Sequence, residues 1–137
     1  MDDRKIYVID GENFSSMKEF YDEIQHVMLE GGYWGRNLAA FNDILRGGYG
    51  SVEDNGFAIR WKNSDLSKRH LGYEATVNQL TKALENCHPT NIAHLTRELE
   101  QARINEGQTM FEYIVEIIGD HGSGGREGKD DIKLYLE

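Results

Sequence analysis

Three carboxylates recur at every fourth position near the end of the chain, Glu112, Glu116 and Asp120. Another, Asp43, sits in a short run where Leu38, Phe41, Ile44 and Leu45 are apolar. Spacings of three and four place those four residues on one helix face and leave Ala39, Asn42, Asp43 and Arg46 on the other. Carboxylates so presented suit two chemistries. They can accept charge-assisted hydrogen bonds from the Arg, Lys and His of a basic partner. They can also serve as general acid or base in a small hydrolase that takes its metal from solution, although no paired motif demands it. A charged row on an outward helix face is also ordinary solvated surface. Weaker constellations carry less. Cys87, His88 and His94 lack zinc-site spacing, with Pro89 between them. His121 beside Asp120 has no nucleophile signature and reads as chance adjacency. Gly47-Gly48-Tyr49-Gly50 lacks the Lys-Ser/Thr of a phosphate loop. No cofactor and no metal are expected.

The elements that must hold these residues follow from local pattern. Gly32-Tyr33-Trp34-Gly35 brings two aromatics and two glycines to the start of the Asp43 helix, an expected rigid, exposed aromatic corner, and Asn37 is a natural cap for that helix. Ile6 to Ile9 reads as a strand covered on both faces, which would place it centrally in a parallel sheet. After Asp10-Gly11-Glu12-Asn13, Ser15 or Ser16 caps a helix to Leu29. Phe20, Ile24, Val27 and Met28 form its inner side, and Lys18, Asp22, Glu23 and Gln25 its outer side. Residues 47–56 read as a loop. Phe57 to Trp61 is a strand with Phe57, Ile59 and Trp61 on one face. Residues 64–106 hold two helical stretches, Tyr73 to Glu85 and Thr90 to Ile104, separated by Pro89. Thr109 starts a last helix with Phe111, Ile114, Val115 and Ile118 inward. Gly122 to Lys129 reads as a flexible turn, and Ile132 to Leu136 as a closing strand.

Composition narrows the function classes. A chain of 137 residues with 39% hydrophobic and 28% charged residues suits one globular domain. The net charge of −9 argues against direct nucleic-acid binding, which needs concentrated Lys and Arg, and favours a basic protein partner. It also serves solubility. The single cysteine, Cys87, excludes an intramolecular disulfide framework and points to a reducing compartment. With neither a signal-peptide core nor a membrane-length apolar run, a cytoplasmic, monomeric protein without membrane contact is expected.

One resemblance is specific. Tyr33-Trp34-Gly35-Arg36-Asn37-Leu38 followed by Asp43-Ile44-Leu45 resembles the barstar family of intracellular ribonuclease inhibitors. The opening strand, turn and helix fit as well, and so does the final helix and strand. The resemblance covers residues 4–63 and 107–137 and is weak or absent between. It implies an α/β fold over residues 1–137, with a small three-stranded parallel sheet packed against helices and an enlarged helical segment at 64–106. It implies an inhibitor, not an enzyme, that occludes a basic ribonuclease, barnase-like or a related toxin. By position it assigns partner contacts to Tyr33, Trp34, Gly35, Asn37, Ala39, Asp43, Tyr49, Glu116 and Asp120, with Asp43 as the central carboxylate. Two departures stand out. Ala39 occupies the place of a second Asp, and Arg36 that of an acidic residue, so two negative charges are missing. A different ribonuclease, or a changed partner altogether, is then the expectation, with residues 49–54 and the late acids taking a larger share.

Overall fold

The computed structural model describes residues 4–29, 34–46, 56–122 and 124–137, apart from the side chain of residue 129. Strands β1 (Lys5–Asp10), β2 (Phe57–Lys62) and β3 (Lys133–Leu136) form a parallel sheet in the order β1-β2-β3. Its register pairs Tyr7 with Ile59 and Leu134, and Ile9 with Trp61 and Leu136. This is the expected three-stranded α/β architecture.

The helices are α1 (Met17–Met28), α2 (Leu38–Leu45), α3 (Ser64–His70), α4 (Tyr73–Asn86), α5 (Ile92–Arg103) and α6 (Met110–Asp120). Their starts are written locally. Ser16 accepts the Glu19 N–H at α1, while the Glu19 carboxylate accepts from Ser15. Asn37 accepts the Ala40 N–H at α2, and Thr109 with Glu112 forms a capping box at α6. Among the described residues, no helix is long and apolar enough to cross a membrane.

The core lies between one sheet face and α1, α2 and α6. Trp61 is its centre: it stacks on Phe20, meets Phe111 edge-on at 5.1 Å, and donates its Nε1–H to Ser67 Oγ at 2.9 Å. Leu80, Leu99 and Ala102 form a second, smaller cluster between α4 and α5. That helical pair is joined to α6 by buried Thr76, which accepts the Met110 N–H at 2.9 Å. Gly11 admits a close approach here, because a Cβ on it would run into the Asn63 carbonyl and the Ser67 hydroxyl.

Several expectations need correction. β1 is an edge strand, not a central one, and its second face is open, with Ile6 53% and Val8 40% exposed. Glu23 faces inward instead of outward. It is buried, and its carboxylate accepts from the Asp10 N–H at 2.9 Å and from Asn13 Nδ2 at 3.0 Å, closing the turn after β1. Helix α3, unforeseen in the sequence, follows β2 directly. Ile92, at the start of α5, is exposed although apolar. The expected turn after α6 is present, and backbone bonds join it to its flanks, from Glu127 N–H to Asp120 O at 2.7 Å and from Ile132 N–H to His121 O at 3.0 Å. Gly125 permits this, since a Cβ there would lie 2.5 Å from the carbonyl oxygens of Gly119 and Asp120.

Candidate functional site

Helix α2 carries the residue on which the site depends. Its inner side, Phe41, Ile44 and Leu45, is buried in the core, and its outer side exposes Ala39 and, one turn later, Asp43. The Asp43 side chain is 54% exposed. The helix is fixed at both ends. At its start Asn37 caps it at 2.7 Å and also donates to Gly35 O at 3.3 Å. A Cβ at Gly35 would meet the Ala40 Cβ at 3.2 Å, so Gly35 lets the incoming chain pass close to the cap.

At the far end, Arg46 joins two acids. It donates to Asp43 Oδ1 at 3.2 Å, and its Nε and NH2 bind Glu127 in a fork at 2.8 and 2.6 Å. The Glu127 N–H in turn reaches Asp120 O. Asn42, next to Asp43, is not free on the outer side as the helical spacing implies. Its Oδ1 lies 2.6 Å from Nε2 of His121, which is wholly buried. The other ring nitrogen of His121 faces Asp130 Oδ2 at 2.6 Å and Glu127 Oε2 at 3.3 Å. The ring partners of His121 are thus Asn42, Asp130 and Glu127 and not its neighbour Asp120, and His121 is a buried junction between α2, the end of α6 and the turn beyond. Glu127 and Asp130 hold Arg46 and His121 by charge-assisted bonds, and Arg46 is pushed further above its ordinary value, first by its bond to Glu127.

The other expected contacts fall differently. Trp34 is 2% exposed and belongs to the core, edge-on to Tyr21 with ring centroids 5.6 Å apart. An exposed aromatic corner is thus corrected at this position; an indole this large gains more from packing against Tyr21 of α1 than from solvent. Tyr33 and Tyr49 lie outside the described residues, as does the rest of the 47–55 loop. Glu112 is held by the capping box, and Glu116 is exposed and bonded to Gln108. Asp120 is half-buried at the end of α6, where its backbone carbonyl, not its carboxylate, accepts from the Glu127 N–H. Arg36, in a left-handed conformation with φ of 54°, turns onto α1 and pairs with Asp22 and Gln25.

Sequence reasoning missed His121, Arg46, Glu127 and the inward part of Asn42. For His121 a signal exists: Ile114, Ile118 and His121 continue the inner stripe of α6 at spacings of four and three.

Residues 4–100 match the family model described as Barstar (barnase inhibitor). The match takes in residues 64–100, a stretch without the motifs quoted above, and ends before α6 and β3, from which Glu116, Asp120 and His121 come. No curated protein matches the chain.

Proposed function

Since this chain belongs to the barstar family, we propose that it inhibits a basic ribonuclease by placing the Asp43 carboxylate in that enzyme's active site. The observation that carries this reading is Asp43 itself, an exposed acid on a helix anchored by Asn37 at one end and by Asn42 and Arg46 at the other. A ribonuclease surrounds its scissile phosphate with cationic side chains, and a carboxylate held rigidly can take the phosphate's place. Rigid presentation matters because loss of side-chain and backbone freedom on binding subtracts from affinity. Half-buried Asp120 at the end of α6 and exposed Glu116 one turn earlier extend the acidic surface in this reading. By sequence position alone Tyr33 and Tyr49 are further contacts in this reading, while Trp34, buried against Tyr21, is not a contact. The protein acts as a cytoplasmic monomer.

Ala39 favours an enzyme other than barnase as the target. It is exposed one turn before Asp43 and offers no charge, while Arg36 is occupied by Asp22. The same two residues also fit a basic partner that is not a ribonuclease. The test is an inhibition titration against barnase and against any ribonuclease encoded beside this chain. Stoichiometric inhibition that weakens with salt, and that Asp43→Asn abolishes without loss of folding, is expected. Absence of inhibition throughout the panel, or an Asp43→Asn variant as potent as the parent, would overturn the reading. Capture of a basic protein without ribonuclease activity would favour the changed partner.

A further inference from the structure

In a chain of net charge −9, one cleft of about 820 Å³ has the opposite character. It lies between the start of α1, the end of α3 and α4. Lys18, Arg36, Arg69, His70 and Lys82 line it, against Glu74 as the acid among the lining residues. Lys18 and Arg36 are paired with Asp22. Arg69, His70 and Lys82 are exposed and enter no ion pair among the described residues.

Two more features point to an anion with an apolar part. Met17 and Lys18 open α1, and the Ser16 cap takes only the Glu19 N–H. The positive end of a twelve-residue helix therefore borders the cleft. Buried Met17 and Tyr21, with half-buried Ala75, supply apolar wall, and the Tyr21 hydroxyl has no hydrogen-bond partner among the described residues. The overall negative charge does not forbid an anion here. At physiological salt, charges beyond about 8 Å are largely screened, so the local cations dominate. A volume of this size lies within the usual range for small-molecule sites.

We propose that this cleft binds a small phosphate monoester carrying an apolar group, of the class of a nucleoside monophosphate. The phosphate sits among Arg69, His70, Lys82 and the start of α1, and the apolar part lies against Met17, Tyr21 and Ala75. Two unpaired cations, Arg69 and Lys82, match a dianionic phosphate better than a single carboxylate, which would leave charge uncompensated. Asp43 and α2 take no part in the cleft, so this proposal and the inhibitor reading stand or fall separately.

Calorimetric titration of the full chain with AMP, inorganic phosphate and adenosine tests it. AMP should bind at a single site and more tightly than either fragment. Arg69→Gln and Lys82→Gln should each weaken AMP by about tenfold, the effect of losing one charge-assisted hydrogen bond, while Arg103→Gln, outside the cleft, should not. Absence of saturable AMP binding overturns the proposal. So does phosphate binding as tightly as AMP, which marks unspecific anion attraction. Equal losses in Arg103→Gln and the cleft variants, or no loss in either cleft variant, overturn it as well.

Discussion

Nε2 of His121 lies 2.6 Å from Oδ1 of Asn42, joining residues 79 positions apart in the sequence. Because Asn42 precedes Asp43, this bond fixes the part of α2 that presents the exposed acid. Its strength comes from burial: His121 is removed from water, and its other nitrogen is taken by Asp130. A polar group enclosed in this way is costly to leave unpaired.

Removing the acceptor should therefore loosen α2. Asn42→Ala is expected to cost about 1–3 kcal/mol of folding stability, the penalty for an unsatisfied buried donor. Asn42→Asp, which keeps an oxygen in reach of the ring, should cost less. Urea denaturation measures both, and equal stability of Asn42→Ala and the parent would show that the bond does not organise this corner.

Glu23 makes a second buried polar contact with a checkable cost. Its carboxylate closes the turn after β1 through the Asp10 N–H and Asn13. Glu23→Ala strands that N–H and should destabilise by about 1–3 kcal/mol, while Glu23→Gln retains an acceptor and should lose less. Thermal or urea unfolding of the two variants separates an acceptor role from simple solvation of an outer-face glutamate, for which both losses would be negligible.

The contrast between these residues and the helices explains what could be read from the sequence. Phe41, Ile44 and Leu45, the Asn37 cap, and the Thr109-Glu112 pair act over a few residues, so spacing and type suffice to place them. The strands themselves were legible for the same reason, through short apolar or alternating runs, while their three-stranded parallel arrangement followed from the family resemblance. Whether both faces of a strand are covered depends on what packs there, and Ile6 and Val8 have the same apolar character either way. The junction of Arg46 with Glu127 spans 81 positions, and no local pattern announces it. Trp34 was misplaced because an aromatic beside glycine is equally compatible with a surface corner and with a core plug; only the ring of Tyr21 against it decides. Asp43 was legible because its exposure follows from the inner stripe alone.

Arg46 stands between Asp43 and any incoming cation. Its bond to Asp43 is an exposed one at 3.2 Å, while its fork onto Glu127 ties α2 to the turn beyond α6. Arg46→Gln should cost little stability, because exposed ion pairs are screened by solvent. It removes a positive charge and frees the Asp43 carboxylate, so association with a basic partner should become faster at low salt, with the gain fading as salt rises. Stopped-flow association rates across a salt series check this. A slower association at low salt would show that Arg46 contributes by ordering α2 more than it costs by competing for Asp43.

Tyr21 gives the fold a limit in alkali. Burial pushes its hydroxyl up to about 12, against the opposing pull of the nearby Arg36 guanidinium. In the unfolded chain the same phenol ionises near its ordinary value of about 10. The folded value is the higher of the two. Its contribution to stability is therefore complete below pH of about 10 and is lost as the pH rises through about 12, where the folded phenol also ionises. Tyr21→Phe removes that dependence. It should leave stability at neutral pH little changed, because the hydroxyl has no hydrogen-bond partner among the described residues. Other tyrosines titrate in the same range, Tyr113 among them with its value raised first by burial, so the quantity to compare is the difference between variant and parent. Urea unfolding followed from neutral pH to strong alkali should show the parent losing stability more steeply than Tyr21→Phe between those two values. Parallel curves would mean that water reaches the hydroxyl in solution and that the packing of Tyr21 against Trp34 is looser than the edge-on contact implies.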